Sequence, residues 1–140
     1  VKLYTYKKDE NKLKKFLIKT GLDDNYLLNI YIDNKEYKKV FPLIKKLYQE
    51  TGDINYLGQG AIFEYESAKR KNRKVLRSVI SKLRKVIKKE PTALYLNYLG
   101  YILIDHSIAI KEGIKYVKKA IKIKGDSTYF LDSLAWGYYK

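Results

Sequence analysis

A chain of 140 residues with 46% hydrophobic residues can bury a continuous core, and its composition argues against a disordered chain. The 30 Lys and Arg against 15 Asp and Glu leave a net charge of +15, and the absence of Cys removes disulfides, thiolate metal sites and thiol nucleophiles together. No apolar run reaches the ~20 residues that span a bilayer, and Val1-Lys2-Leu3-Tyr4 does not lead into the apolar core of a signal peptide.

Apolar positions recur at helical spacing almost throughout, and no stretch keeps a period of two, so eight helices are predicted. Residues 9–20 form the first, with Leu13, Phe16 and Leu17 facing inward, and Gly21 stops it. Residues 23–33 follow, with Asp23 or Asp24 as N-cap and Leu27, Leu28 and Tyr31 buried. Residues 35–50 carry Tyr37, Val40, Phe41, Ile44, Leu47 and Tyr48; Pro42 lies among them and predicts a kink, because the apolar spacing runs on through it. Thr51-Gly52-Asp53 closes that helix and caps 53–68, where Gly58 and Gly60 each cost ~1 kcal/mol relative to Ala. Residues 72–89 present Val75, Leu76, Val79, Ile80, Leu83, Val86 and Ile87, and Glu90-Pro91-Thr92 ends them, since Pro cannot continue the ladder. Residues 93–105, 110–123 and 127–139 complete the set, with the last break at Gly125-Asp126.

One segment is written twice. Asn97-Tyr98-Leu99-Gly100-Tyr101-Ile102-Leu103 returns as Asp132-Ser133-Leu134-Ala135-Trp136-Gly137-Tyr138, placing Leu99 and Leu134 thirty-five residues apart. A period of this size marks units that bury their apolar faces only against their neighbours. The expected fold class is therefore all-α, an α-solenoid of stacked antiparallel helix hairpins.

Residues 96–125 resemble a tetratricopeptide repeat, with Leu96, Leu99-Gly100 and Leu103 on one helix, then Gly113, Val117 and Ala120 on the next, closing at Gly125. The resemblance, of a type common in bacterial proteins, implies a superhelix and close helix approach at Gly60, Gly100 and Ala135. It divides residues 1–140, read as one domain, into a partial unit 1–21, repeats 22–52, 53–92 and 93–125, and a half repeat 126–140. The chain starts without Met and ends one helix into a repeat, so a longer parent protein is expected.

Catalysis has no support in the residues. His106 is the only His, and a sequence-adjacent Asp105-His106-Ser107 is a turn, because triad members converge from separate elements. One His without Cys leaves no metal site, no cofactor motif is present, and Gly58-Gln59-Gly60 lacks the Lys-Ser/Thr of a phosphate loop. Glu64 and Glu66, two apart on a helix, point to different faces.

In tetratricopeptide repeats the first helices of successive units line a concave face that holds a peptide or a partner's helix. By position that face would comprise Asn25, Asn29 and Ile32; Leu57, Ala61, Glu64 and Tyr65; Asn97, Tyr101 and Ile104; and Tyr129, Asp132, Trp136 and Tyr139. Trp136 and Tyr139 fit equally well as anchors or as packing residues. The resemblance implies a non-enzymatic scaffold for a protein or peptide, but Leu94 and Tyr98 stand where the family's chaperone-tail binders need basic residues.

All four Arg of the chain fall within 70–84. Arg70, Arg73, Lys74, Arg77, Arg84 and Lys88 lie along one side of the helix, opposite Leu76, Val79, Leu83 and Val86. A solvated outer face is the simplest reading, with docking to an acidic protein, nucleic acid or an anionic membrane as the alternative. Helix 127–139 carries Phe130, Leu131, Leu134, Ala135 and Tyr138 on more than one face, which predicts self-association through that end.

Overall fold

A computed structural model describes residues 2–125 and 127–140. Among these residues there are eight helices and no strand: α1 (Lys2–Thr20), α2 (Asp24–Asp33), α3 (Tyr37–Thr51), α4 (Ile54–Ser67), α5 (Arg73–Lys89), α6 (Ala93–Asp105), α7 (Ile110–Lys124) and α8 (Thr128–Tyr139). The all-α fold class follows the apolar periodicity. Helix α1 starts earlier than expected, at Lys2, since no Gly or Pro interrupts residues 2–9. Pro42 lies well inside α3, not in its first turn.

Local chemistry sets the ends. The side chains of Asp23, Asn72, Thr92 and Ser127 accept the backbone N–H three residues on, satisfying donors that the first helical turn leaves open. Gly21, Gly52 and Gly125 stop α1, α3 and α7 at φ +61°, +69° and +81°, the left-handed region that a Cβ disfavours. Asp126, the other half of the expected final break, lies outside the described residues.

The chain forms two compact units, 1–56 and 57–140, with the division inside α4. In the first, α2 packs on both α1 and α3. Lys14 Nζ donates to Glu36 at 2.9 Å and lies 5.8 Å from the Tyr31 ring centre, while Asn34 Nδ2 donates to Glu10 at 2.7 Å. These contacts join the middle of α1 to the end of α2, while the turn at Gly21 joins the end of α1 to the start of α2, so the two helices run antiparallel. Leu17 is buried, whereas Leu13 and Phe16, both expected inside, are exposed, because α1 packs through a narrow stripe.

In the second unit, α6 and α7 form an antiparallel hairpin. Gly100 meets Gly113 and Val117, Ile104 meets Gly113, and Ala93 and Leu96 share a buried cluster with Ala120 and Phe130 of α8. Gly137 of α8 rests on Ile104 and Ile114, and Gly58 of α4 rests on the ring of Tyr95 while Tyr65, further along α4, reaches His106 at the end of α6, so α4, α6 and α8 run parallel to one another. A Cβ on Gly58 would lie 2.6 Å from the Tyr95 ring, the packing reason that its own sequence neighbourhood does not reveal. Leu99 and Ala120 are fully buried and Gly60 is buried. Ala135, expected at a close helix contact, is exposed, and Leu134 is half-buried. The close approach of α8 is made by Gly137 instead, because the face that α6 turns to α7 meets no described helix on α8.

Candidate functional site

Helix α6 has two apolar stripes at helical spacing. Leu96, Leu99, Gly100 and Leu103 are buried in the unit. Leu94, Asn97, Tyr98 and Tyr101, at positions i, i+3, i+4 and i+7, form a second stripe that lines a groove of about 620 Å³. Tyr129, Phe130, Asp132 and Ser133 of α8 make its other wall, with Lys124 and Ser127 at the turn between α7 and α8. Tyr129 is 79% exposed and Leu94 59%, so large apolar surface faces water here. Ser133 is buried, and its hydroxyl donates to the Tyr129 carbonyl at 3.0 Å.

Asn97 Oδ1 is buried in this wall with no hydrogen-bond partner among the described residues. An unmet buried acceptor costs about 1–3 kcal/mol, which a donor that reached it would recover. Four residues expected on the inner face, Asn97, Tyr101, Tyr129 and Asp132, therefore share one groove. Leu94, Tyr98, Lys124 and Phe130, not assigned to that face in advance, share it as well.

Behind the groove wall, a polar-aromatic cluster fixes Tyr98. Its hydroxyl donates to Glu66 at 2.9 Å, and Tyr65 stands edge-on to it with ring centres 6.1 Å apart. The Tyr65 hydroxyl bonds His106 Nε2 at 2.8 Å, and Lys71 Nζ lies 4.9 Å from the Tyr65 ring centre. Burial pushes Tyr65 up to about 12, and burial followed by the Glu66 carboxylate pushes Tyr98 up further, so both phenols stay protonated. Burial also raises Tyr101, with Asp105 adding to it. Glu66 thus braces Tyr98, while Glu64 faces α5, accepting from Ser78 and Lys82 at 2.9 Å each. The two carboxylates lie on different faces.

Trp136 stands outside the groove. Its indole N–H donates to Asp105 at 3.1 Å and its ring stacks on Tyr139 at 5.2 Å, nearly parallel. Lys140 Nζ lies over the indole and donates to the Asp105 carbonyl, completing a clasp between the ends of α6 and α8. Asp105, His106 and Ser107 therefore act in a helix end and turn, Ser107 at φ +54°. Ile104 and Ala61, expected on the inner face, are fully buried as core residues instead. In the first unit, Asn25 accepts from the Tyr56 hydroxyl at 3.1 Å, and Asn29 lines a hollow of about 470 Å³ with Asp9, Glu10, Leu13, Tyr26, Ile30 and Asp33.

The basic residues Arg70, Arg73, Lys74, Arg77, Arg84 and Lys88 are all exposed. Arg73, Lys74 and Arg77 surround one hollow on α5, and Arg84 pairs with Glu112 of α7 at 3.1 Å. Among the described residues no group of His, Asp and Glu is placed to hold a metal ion.

No protein-family model matches the chain. In an alignment 125 positions long that covers 83% of the chain, it is 30% identical to a TPR repeat-containing protein of Pseudomonas aeruginosa. The chain spans one fifth (20%) of the length of that relative.

Proposed function

We propose that the chain is a run of tetratricopeptide-like repeats, with units at 22–52, 53–92 and 93–125, that binds a segment of another protein and carries out no catalysis. The observation behind this reading is the α6–α8 groove, where exposed Leu94, Tyr101 and Tyr129 surround the unpaired Asn97 Oδ1. Rigid aromatic side chains offer large contact area at small entropy cost, and a buried acceptor fixes the register of whatever docks. The similarity to a TPR repeat-containing protein supports the same class of function.

The partner segment is apolar or aromatic and supplies an N–H or O–H to Asn97. It is not strongly acidic, because α6 and α8 contain no Lys or Arg and the single cation lining the groove, Lys124, is matched by Asp132 in the wall. A peptide-library selection on the intact chain tests this. Selected peptides should lose roughly 30-fold or more in affinity, about 2 kcal/mol, with Tyr101→Ala or Tyr129→Ala. Raised salt should change that affinity little. Peptides indifferent to both substitutions would place recognition elsewhere. A second reading, self-association through α8, is favoured by the exposure of Leu131, Tyr138 and Tyr139.

A further inference from the structure

Charge is sorted by helix. Helices α2, α4, α6 and α8 contain no Lys or Arg and six carboxylates, whereas α1, α3, α5 and α7 hold twenty-five of the thirty basic residues. A genome-wide preference for Lys would place it on any solvated position, yet exposed Gln59, Tyr101, Tyr129 and Leu131 are all uncharged. Compositional bias alone does not produce that division.

The sorting is sharpest in the second unit, where α5 carries eight basic residues and no acid, and α7 carries six Lys and Glu112 alone. The two helices lie on one side of the unit. Ile87 of α5 packs on the same buried cluster as Tyr116 and Ile121 of α7, and Arg84 reaches Glu112. Of these fourteen cations only Lys82 is half-buried, on Glu64, and the others are exposed. Five Lys of α7 with Ile114 surround a hollow of about 370 Å³, and Arg73, Lys74, Arg77, Ser78 and Ser81 of α5 surround another of about 540 Å³. The basic surface therefore extends beyond α5 to include α7.

We propose that this α5–α7 face docks on a bilayer containing anionic lipid, with headgroup phosphates met by the two basic hollows. Lysine ammonium groups act as hydrated point charges suited to a fluid array of headgroups, while ordered phosphate recognition favours guanidinium forks. All the cations of α7 are Lys. Single-stranded nucleic acid would need exposed rings for base stacking. Helix α5 has no aromatic residue, the single aromatic of α7, Tyr116, is half-buried with its hydroxyl on Glu112, and the exposed Tyr138 of α8 beside Lys118 is one ring at the edge of the face, not a row of stacking platforms. Ile123, 59% exposed between Lys122 and Lys124, adds an apolar contact at the acyl boundary. Helices α6 and α8 stay free of cations, so a face held to a membrane leaves the α6–α8 groove, lined by Lys124 as its one basic residue, open to its own partner.

Sedimentation with vesicles of phosphatidylcholine, alone or mixed with phosphatidylserine, tests the proposal on the intact chain. Binding is expected only to the mixed vesicles and should fall steeply with salt. Replacing Lys115, Lys118, Lys119 and Lys122 with Gln should lower partitioning by roughly several hundred-fold, about fivefold for each lysine. A control with Lys12, Lys15, Lys38 and Lys45 changed to Gln carries the same net charge and should bind nearly as the parent does. Circular dichroism on both variants establishes that they fold, and Lys118→Gln alone provides a milder second measurement. Equal loss in the control would show that net charge acts and not this face. No binding to the mixed vesicles, or tighter binding to a single-stranded RNA or to polyglutamate at matched salt, would overturn the proposal.

Discussion

Replacing Gly100 with Ala probes the contact that closes the α6–α7 hairpin. The new Cβ would stand 2.7 Å from the Gly113 carbonyl oxygen and 2.8 Å from Val117 Cγ2. Neither atom can yield cheaply, since one belongs to helical backbone and the other to a β-branched side chain held to one rotamer in a helix. The helices must part, and overpacking of this kind costs about 1–3 kcal/mol. Alanine returns about 1 kcal/mol through its better helix propensity. With an unyielding carbonyl the overpacking falls at the upper end, leaving a net loss of about 2 kcal/mol. In urea denaturation followed by circular dichroism, a slope of about 2 kcal/mol/M turns this into a midpoint lower by about 1 M. Gly113→Ala meets the same crossing from the other side, 2.7 Å from the Gly100 carbonyl oxygen and from Ile104 Cγ1. Once one substitution has parted the helices, the second costs less, so the double variant should lose about 1 kcal/mol less than the sum of the singles. An unchanged or raised midpoint for Gly100→Ala, or strict additivity of the pair, would refute this account of the hairpin.

Asn97→Leu should raise the unfolding free energy by about 1 kcal/mol, read as a higher urea midpoint, because it removes the unpaired buried acceptor, while abolishing binding of peptides selected by the parent chain. Loss of stability, or retained binding, would contradict the role given to Oδ1. The Lys14 hydrogen bond holds the Glu36 carboxyl below its ordinary value of 4.5, so the ionised pair stabilises the fold fully above that value. That contribution disappears as the pH drops through the lowered folded value. The thermal midpoint of the parent should therefore fall more between pH 6 and pH 3 than that of Lys14→Met, and identical profiles would remove the pair from the acid response. Finally, Leu131 and Tyr138 are exposed on α8, and sedimentation equilibrium should show association that rises with concentration and disappears when both become Lys. A strict monomer at high concentration would end the self-association reading.

The periodicity of the chain determined its secondary structure almost completely. Apolar spacing, the capping side chains of Asp23, Asn72, Thr92 and Ser127, and the stops at Gly21, Gly52, Pro91 and Gly125 all act over a few residues. Their consequences are therefore readable from a short window. Leu99-Gly100 recurs as Leu134-Ala135, yet Gly100 lies against Gly113 and Val117 while Ala135 is exposed, because a small residue makes a contact only where a second helix lies against it. Gly58 had no reason in its own helix; its reason is Tyr95, thirty-seven residues later. Of the residues assigned to the inner face, Asn97, Tyr101, Tyr129 and Asp132 meet in one groove, while Ile104 and Ala61 are buried and Trp136 joins a clasp with Asp105. A helical repeat fixes which residues share a stripe, but the tilt and spacing of the packed helices decide which stripe faces a neighbour and which faces water. The unpaired oxygen of Asn97 and the merging of α5 and α7 into one basic face belong to that second kind of information, because each depends on partners distant in sequence.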